Sequence, residues 1–149
     1  MGTIHTTWSV RLDDAVTPGD LASDGSIGDD AVRGWIDRAV HAYVDQCHIL
    51  EATRARDGLV VRVTGEAPVR ASRLAAAPQV LVTATATEVF PDRFVVAVRV
   101  RPVGGDDDHP LDVSRSVELV DPGTVQPQEL GTEIRDELIA LSHAARHYS

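Results

Sequence analysis

Four β-rich runs, LVVRVTGEA (59–67), QVLVTATATEV (79–89), RFVVAVRVR (93–101) and PLDVSRSVELV (110–120), follow one another, separated by Pro, Gly and Asp signals. Parallel strands need a crossover of about a dozen residues or more, whereas antiparallel strands join through tight turns. Phe90-Pro91-Asp92-Arg93 is hairpin-sized and Gly104 to Pro110 is a longer connection. These lengths predict an antiparallel meander. In the second run, period-two alternation places Thr83, Thr85 and Thr87 on one face and Val82, Ala84 and Ala86 on the other.

A sheet with an apolar face must be covered, and the sequence supplies the cover. From Asp29 or Asp30 to about Cys47, the residues Val32, Ile36, Ala39, Val40, Tyr43, Val44 and Cys47 recur at three- and four-residue spacing. This spacing predicts a helix with one wide apolar face, and the acids at its start suit the positive end of the helix dipole. Residues 128–147 carry a second stripe, Leu130, Ile134, Leu138, Leu141 and Ala145, on a C-terminal amphipathic helix that must dock on something. Thr6 to Val16 reads as a first strand, ended by Thr17-Pro18-Gly19-Asp20. Strand, long helix, four strands, helix is an α+β order: an antiparallel sheet packed on one central helix, in a single domain of 149 residues.

Charge narrows the partners. The net charge is −9 and all 14 basic residues are arginine, so the chain as a whole repels nucleic acid and anionic membrane. No apolar run approaches the roughly 20 residues that cross a bilayer, so no membrane partner is expected. The single cysteine, Cys47, makes no internal disulfide, and a reducing cytoplasm is the expected setting. Asp106-Asp107-Asp108-His109 reads as a solubilising loop and not as a metal site, since consecutive acids point in different directions. Cys47 reads as a helix core residue with nothing nearby in sequence to activate it as a nucleophile.

Before the long helix stands the loop ASDGSIGDD (22–30). Gly25, the apolar Ile27 two places on, a helix start at Asp29 and an acid, Asp37, twelve places after the glycine form a pattern that resembles the hotdog-fold thioesterases. These include the branches similar to 4-hydroxybenzoyl-CoA thioesterase and to acyl-CoA thioesterases. The resemblance covers about residues 6–121. It implies a curved antiparallel sheet wrapped around a long central helix, with the C-terminal helix (about 128–147) as an addition. It implies hydrolysis of an acyl-CoA or acyl-carrier-protein thioester, coenzyme A entering only as part of the substrate and no separate cofactor. It also implies a homodimer or homotetramer whose sites form between subunits. This chain has Ala22 where one branch carries its catalytic aspartate, and Asp29-Asp30 where several branches have paired glycines.

The resemblance gives the residues their candidate roles. The backbone of Gly28 and Asp29, at the helix start, is the candidate oxyanion site, because N–H groups there lack intrahelical partners; an ordinary turn and N-cap is the alternative. Asp37 matches the acid that attacks the carbonyl or activates water. Its spacing with Arg33, His41 and Asp45 equally describes a solvated, ion-paired helix face. Asp24 is a second candidate carboxylate, or a turn residue, and His41 could tune Asp37 or merely pair with it. Gly25, Ile27 and His41 are candidate substrate-binding residues, and Arg70 and Arg73 are candidates for coenzyme A phosphates by analogy with the family, scattered surface arginines being the alternative. With two Phe, two Tyr and two Trp, the chain is poorly supplied for a ring-stacking pocket, which favours an aliphatic acyl group. Two other readings remain: a hotdog domain without catalysis that binds an acyl ligand or a protein, and, ranked last, a hotdog hydratase or dehydratase.

Overall fold

A computed structural model describes residues 10–65, 74–106 and 109–147, with side chains as far as residue 142. The elements in chain order are β1 (Val10–Ala15), a short 3-10 turn (Pro18–Asp20), α1 (Asp29–Gln46), α2 (His48–Asp57), β2 (Val60–Thr64), β3 (Gln79–Val89), β4 (Phe94–Val103), β5 (Leu111–Val120) and α3 (Thr132–His147). The sheet is antiparallel throughout, curved into a half-barrel, in the order β1-β3-β4-β5-β2.

The expected meander is therefore only three strands long. β3, β4 and β5 pair in sequence, but β2 lies beyond β5, with Val60 opposite Val120 and Thr64 opposite Ser116. The chain between β2 and β3 is long enough to pass over β5 and β4, so run length alone could not assign β2 its neighbour. The alternation expected in β3 holds as far as Ala86, with Val82, Ala84 and Ala86 in the core and Thr83 and Thr85 on the other face. Thr83 is buried on the outer face, flanked in register by Arg11 and Arg99, while a bulge between Ala86 and Glu88 takes Thr87 out of the ladder.

The concave face of the sheet holds Val80, Val82, Ala84 and Ala86 of β3, Phe94, Val96, Val98 and Val100 of β4, and Val117 and Leu119 of β5. Against them α1 lays Val32, Trp35, Ile36, Ala39, Val40, Tyr43 and Val44. These residues recur at helical spacing on one side of α1, so burial of the stripe and formation of the helix are one event.

The sequence suggested no helix after Cys47, yet α2 begins one residue later. Cys47 leaves helical geometry at φ −82° and ψ 86°. The new N-terminus is then held by a carboxylate from α3: Ile49 N–H donates to Glu137 Oε2 at 3.0 Å and Leu50 N–H to Glu137 Oε1 at 3.2 Å. Glu137 thus satisfies two of the amides a helix start leaves orphaned, and places negative charge at the positive end of the dipole. α3 itself packs on β3 and α2, burying Ile134 and Leu138, with Leu141 partly covered and Leu130 buried just before the helix begins. Ala145 lies outside the described side chains.

Leu138 is fully buried, so Leu138→Ala is expected to lower the free energy of unfolding by about 2–5 kcal/mol, measured from the urea midpoint. An unchanged midpoint would mean that α3 is not part of the cooperative core.

Candidate functional site

The loop that delivers the chain into α1 is built on backbone bonds. Ala22 N–H donates to the Ser26 carbonyl at 2.7 Å, Gly25 N–H to the Ala22 carbonyl at 3.0 Å, and Leu21 and Ile27 pair as an antiparallel bridge. Gly25 takes φ +86°, a conformation that costs most other residues about 1 kcal/mol or more. Ile27 is fully buried and anchors the loop in the core, so it shapes the helix entry from beneath instead of facing a ligand. Asp24 is occupied within the turn: it accepts from Ser26 Oγ at 2.6 Å and from Ser26 N–H at 3.0 Å, which holds its carboxyl below the ordinary aspartate value.

Gly28 caps α1, and its own N–H donates to the Asp20 carbonyl at 2.8 Å. That amide is therefore not presented to an oxyanion, which corrects the role given to Gly28. Asp29 begins the helix proper, and the first-turn amides after it have no carbonyl in a preceding turn. Because α1 runs unbroken from Asp29 to Gln46, eight residues separate Asp29 from Asp37, about 12 Å along the axis at 1.5 Å per residue. One thioester carbonyl cannot contact both within a single chain.

Asp37 itself is exposed, as are Arg33, His41 and Asp45, so α1 does present a polar face opposite its buried stripe. The four do not pair along the helix. Arg33 instead reaches Asp30 at 3.5 Å, and among the described residues Asp37 accepts no hydrogen bond. The half-barrel leaves a groove on either side of this face, and Asp37 borders both. The groove towards β1 encloses about 410 Å³ and is lined by Leu12, Asp13, Trp35, Arg38, His41 and Asp45, among others. The groove towards β2 and β5 encloses about 370 Å³, between Arg33, Gly34, Ile36, Val40, Val63 and Arg115.

Two charged residues that sequence reasoning passed over point inward from the sheet and flank α1. Asp14 shares the inner face of β1 with Val10 and Leu12. It accepts from Arg38 at 2.7 Å and from Trp35 Nε1 at 2.8 Å, and those two bonds, Arg38 first, hold its carboxyl below the usual range. Arg115 shares the inner face of β5 with Val113 and Val117. Burial lowers its guanidinium pKa, partly offset by the nearby negative charge of Asp37. The signal for both was parity: each acid or arginine stands two residues from an apolar neighbour that faces the core.

Arg70 and Arg73 lie outside the described residues. Among the described residues, no group of three His, Cys, Asp or Glu side chains is arranged to hold a metal ion, and no helix is long and apolar enough to cross a membrane.

No protein-family model matches the sequence, and no curated protein matches it. Solved structures do. The 12:0-ACP thioesterase from Umbellularia californica superposes with a TM-score of 0.68 at 16% identity, over 94% of this chain, which spans only 55% of that protein. A probable thioesterase of Escherichia coli, YbaW, gives 0.62 at 11% identity, covering 89% of this chain and 98% of that one. A Thermus thermophilus thioesterase complexed with coenzyme A and Zn gives 0.60 at 16%, covering 92% and 96%. The chain has the hotdog fold.

In this hotdog chain Cys47 lies at the far end of the central helix from the loop, fully buried, its Sγ donating to the Tyr43 carbonyl at 3.3 Å. Burial, reinforced by Glu137 and Glu51, pushes the thiol up to about 12. The neighbouring Tyr43 phenol is raised as well, by burial first and then by Cys47. A thiol that ionises only near pH 12 is no nucleophile at neutral pH. The folded state holds this proton more tightly than the unfolded chain. Its contribution to stability is therefore complete below about pH 9 and is lost as pH rises towards 12. Iodoacetamide at pH 8 is expected to label Cys47 at least about tenfold more slowly than the urea-unfolded chain. Equal rates in the two states would overturn its placement in the core.

Proposed function

We propose that the chain hydrolyses acyl thioesters of coenzyme A or of an acyl-carrier protein, with Asp37 as its working carboxylate. The observation that carries this reading is the position of Asp37: it is exposed on the central helix of a hotdog fold and borders grooves on both sides. The solved neighbours support the reaction class, since they include a thioesterase holding coenzyme A and one named for an acyl-carrier-protein substrate.

In the simplest course Asp37 takes a proton from water as the water oxygen bonds to the thioester carbonyl carbon. The carbonyl oxygen becomes an oxyanion, the C–S bond then breaks, and the sulfur leaves as a thiolate that acquires a proton. The products are a carboxylic acid and a thiol. Donors for the oxyanion are first-turn amides of a helix, and in one chain these are about 12 Å from Asp37 along α1. They must then come from a second copy, which makes a homodimer part of the proposal. Exposed Val60 on the edge strand β2 and the uncovered face of α1 are surfaces such an assembly would cover. Static light scattering at micromolar concentration is expected to give at least twice the chain mass; a monomer would remove this account of the oxyanion.

A binding domain without catalysis is the second reading, and the engagement of the Gly28 amide by Asp20 favours it. A panel of acyl thioesters with a free-thiol readout separates the two. Hydrolysis of at least one member is expected, and Asp37→Asn should lower that rate by about a hundredfold or more with little change in melting temperature. Tight binding with no turnover would select the second reading. A mutant keeping more than half the rate would exclude Asp37 from the chemistry.

A further inference from the structure

The two grooves beside Asp37 are electrostatically opposite. The β1 side carries Asp13, Asp14 and Asp45 against Arg38, which is already bonded to Asp14, and His41. The β2 side carries Arg33 and Arg115 over an apolar wall of Ile36, Val40 and Val63. Hydrolysis of a thioester builds negative charge on the carbonyl oxygen and releases a carboxylate, so the β1 side opposes the reaction and the β2 side favours it.

Arg115 is the unusual member of the second groove. It occupies an inward position that β5 otherwise gives to apolar side chains, and it is half-buried there. Its guanidinium lies against Gly65 so closely that a Cβ on that residue would come within 2.8 Å of it. One N–H donates to the Ser114 carbonyl at 3.0 Å, yet among the described residues Arg115 forms no ion pair. Arg33 lines the same groove, is paired with Asp30 at 3.5 Å, and its positive charge also acts on Arg115. A partly desolvated guanidinium facing an exposed carboxylate beyond ion-pair distance exerts a directed Coulombic pull, and here burial weakens the solvent screening on the arginine side.

We propose that Arg115 is a positioning residue: its charge draws the Asp37 carboxylate to the β2 side of α1, so that the thioester is attacked in the groove walled by Ile36, Val40 and Val63. This rests on the hydrolase reading and names the side on which the reaction runs. It also fits an aliphatic acyl group, for which those three side chains form the surface.

The test is a double-mutant cycle of Arg115→Gln and Asp37→Asn on the full chain, with Arg115→Lys and Arg38→Gln as companions. Arg115→Gln is expected to lower kcat about 10- to 50-fold with KM changed by no more than about twofold. Arg115→Lys should recover most of the loss, because an ammonium keeps the charge. In the Asp37→Asn background Arg115→Gln should cost less than about twofold more, since it acts through the missing carboxylate. Arg38→Gln, which removes the cation of the opposite groove, should leave kcat within about twofold. Losses that multiply in the double mutant, or a larger loss from Arg38→Gln than from Arg115→Gln, would overturn the inference. The same cycle read by urea unfolding needs no substrate: Arg115→Gln should shift the midpoint differently in the Asp37 and Asp37→Asn backgrounds, and equal shifts would overturn the pairing whether or not the chain is a hydrolase. Failure of Asp37→Asn alone to slow hydrolysis would instead strike the proposed role of Asp37 and leave Arg115 to be judged by unfolding.

Discussion

Five strands cannot close around a helix. A barrel wide enough to be filled by side chains takes about eight, so a five-stranded sheet curved onto α1 covers one side of it and stops at two edges, β1 and β2. The apolar stripe from Val32 to Val44 secures the helix in the trough, and the opposite face, with Arg33, Asp37, His41 and Asp45, is left between the edges. Both grooves, and the exposure of the one carboxylate that borders each, follow from that incomplete closure.

At the two margins of the trough the inner face of the sheet changes character. Near the centre, β3 and β4 present only apolar residues to α1, but the flanking strands present Asp14 and Arg115. Each lies where the helix surface passes from buried to exposed, but only Asp14 closes on a partner there. Asp14 takes Trp35 and Arg38 and so pins β1 to the helix, while Arg115 stands near Asp37 without closing on it. The first arrangement is saturated and structural. In the second, among the described residues, Arg115 forms no ion pair, so the two sides of one helix, similar in size, differ in the charge they present.

What the sequence disclosed was whatever period and turn chemistry encode. The α1 stripe, the limits of β3 at Gln79 and Val89 and the tight Phe90–Arg93 hairpin could be read directly, because their signals are local. α2 could not be. Its residues HILEATRARD bury only Leu50, and its N-terminus is capped by Glu137, which is remote in sequence. β2 was legible as a strand but not as the neighbour of β5, because that pairing is a property of the closed sheet. In the candidate site, Asp37 was singled out as a candidate by its spacing from Gly25. Gly28 was misjudged because the Asp20 carbonyl that occupies its amide belongs to a turn whose return path no pattern announces. Asp14 and Arg115 were within reach of the alternation already being counted, had their inward parity been taken as information about charge.

The oxyanion problem shows how a helix length constrains chemistry. The loop and Asp37 were recognised together because they sit at fixed spacing, and fixed spacing on a straight helix is a fixed distance: about 12 Å from Asp29 to Asp37. A reacting carbonyl spans about 3 Å to each of its catalytic partners. The same pattern that identifies the two groups therefore forbids them from serving one substrate within one chain. In the proposed reaction the amides then come from another copy, whose α1 must approach this one from its uncovered side. That assembly bears on the β2-side groove as well, because a copy covering the open face of α1 would enclose it, exclude solvent and raise the effective strength of the Arg115 field on Asp37.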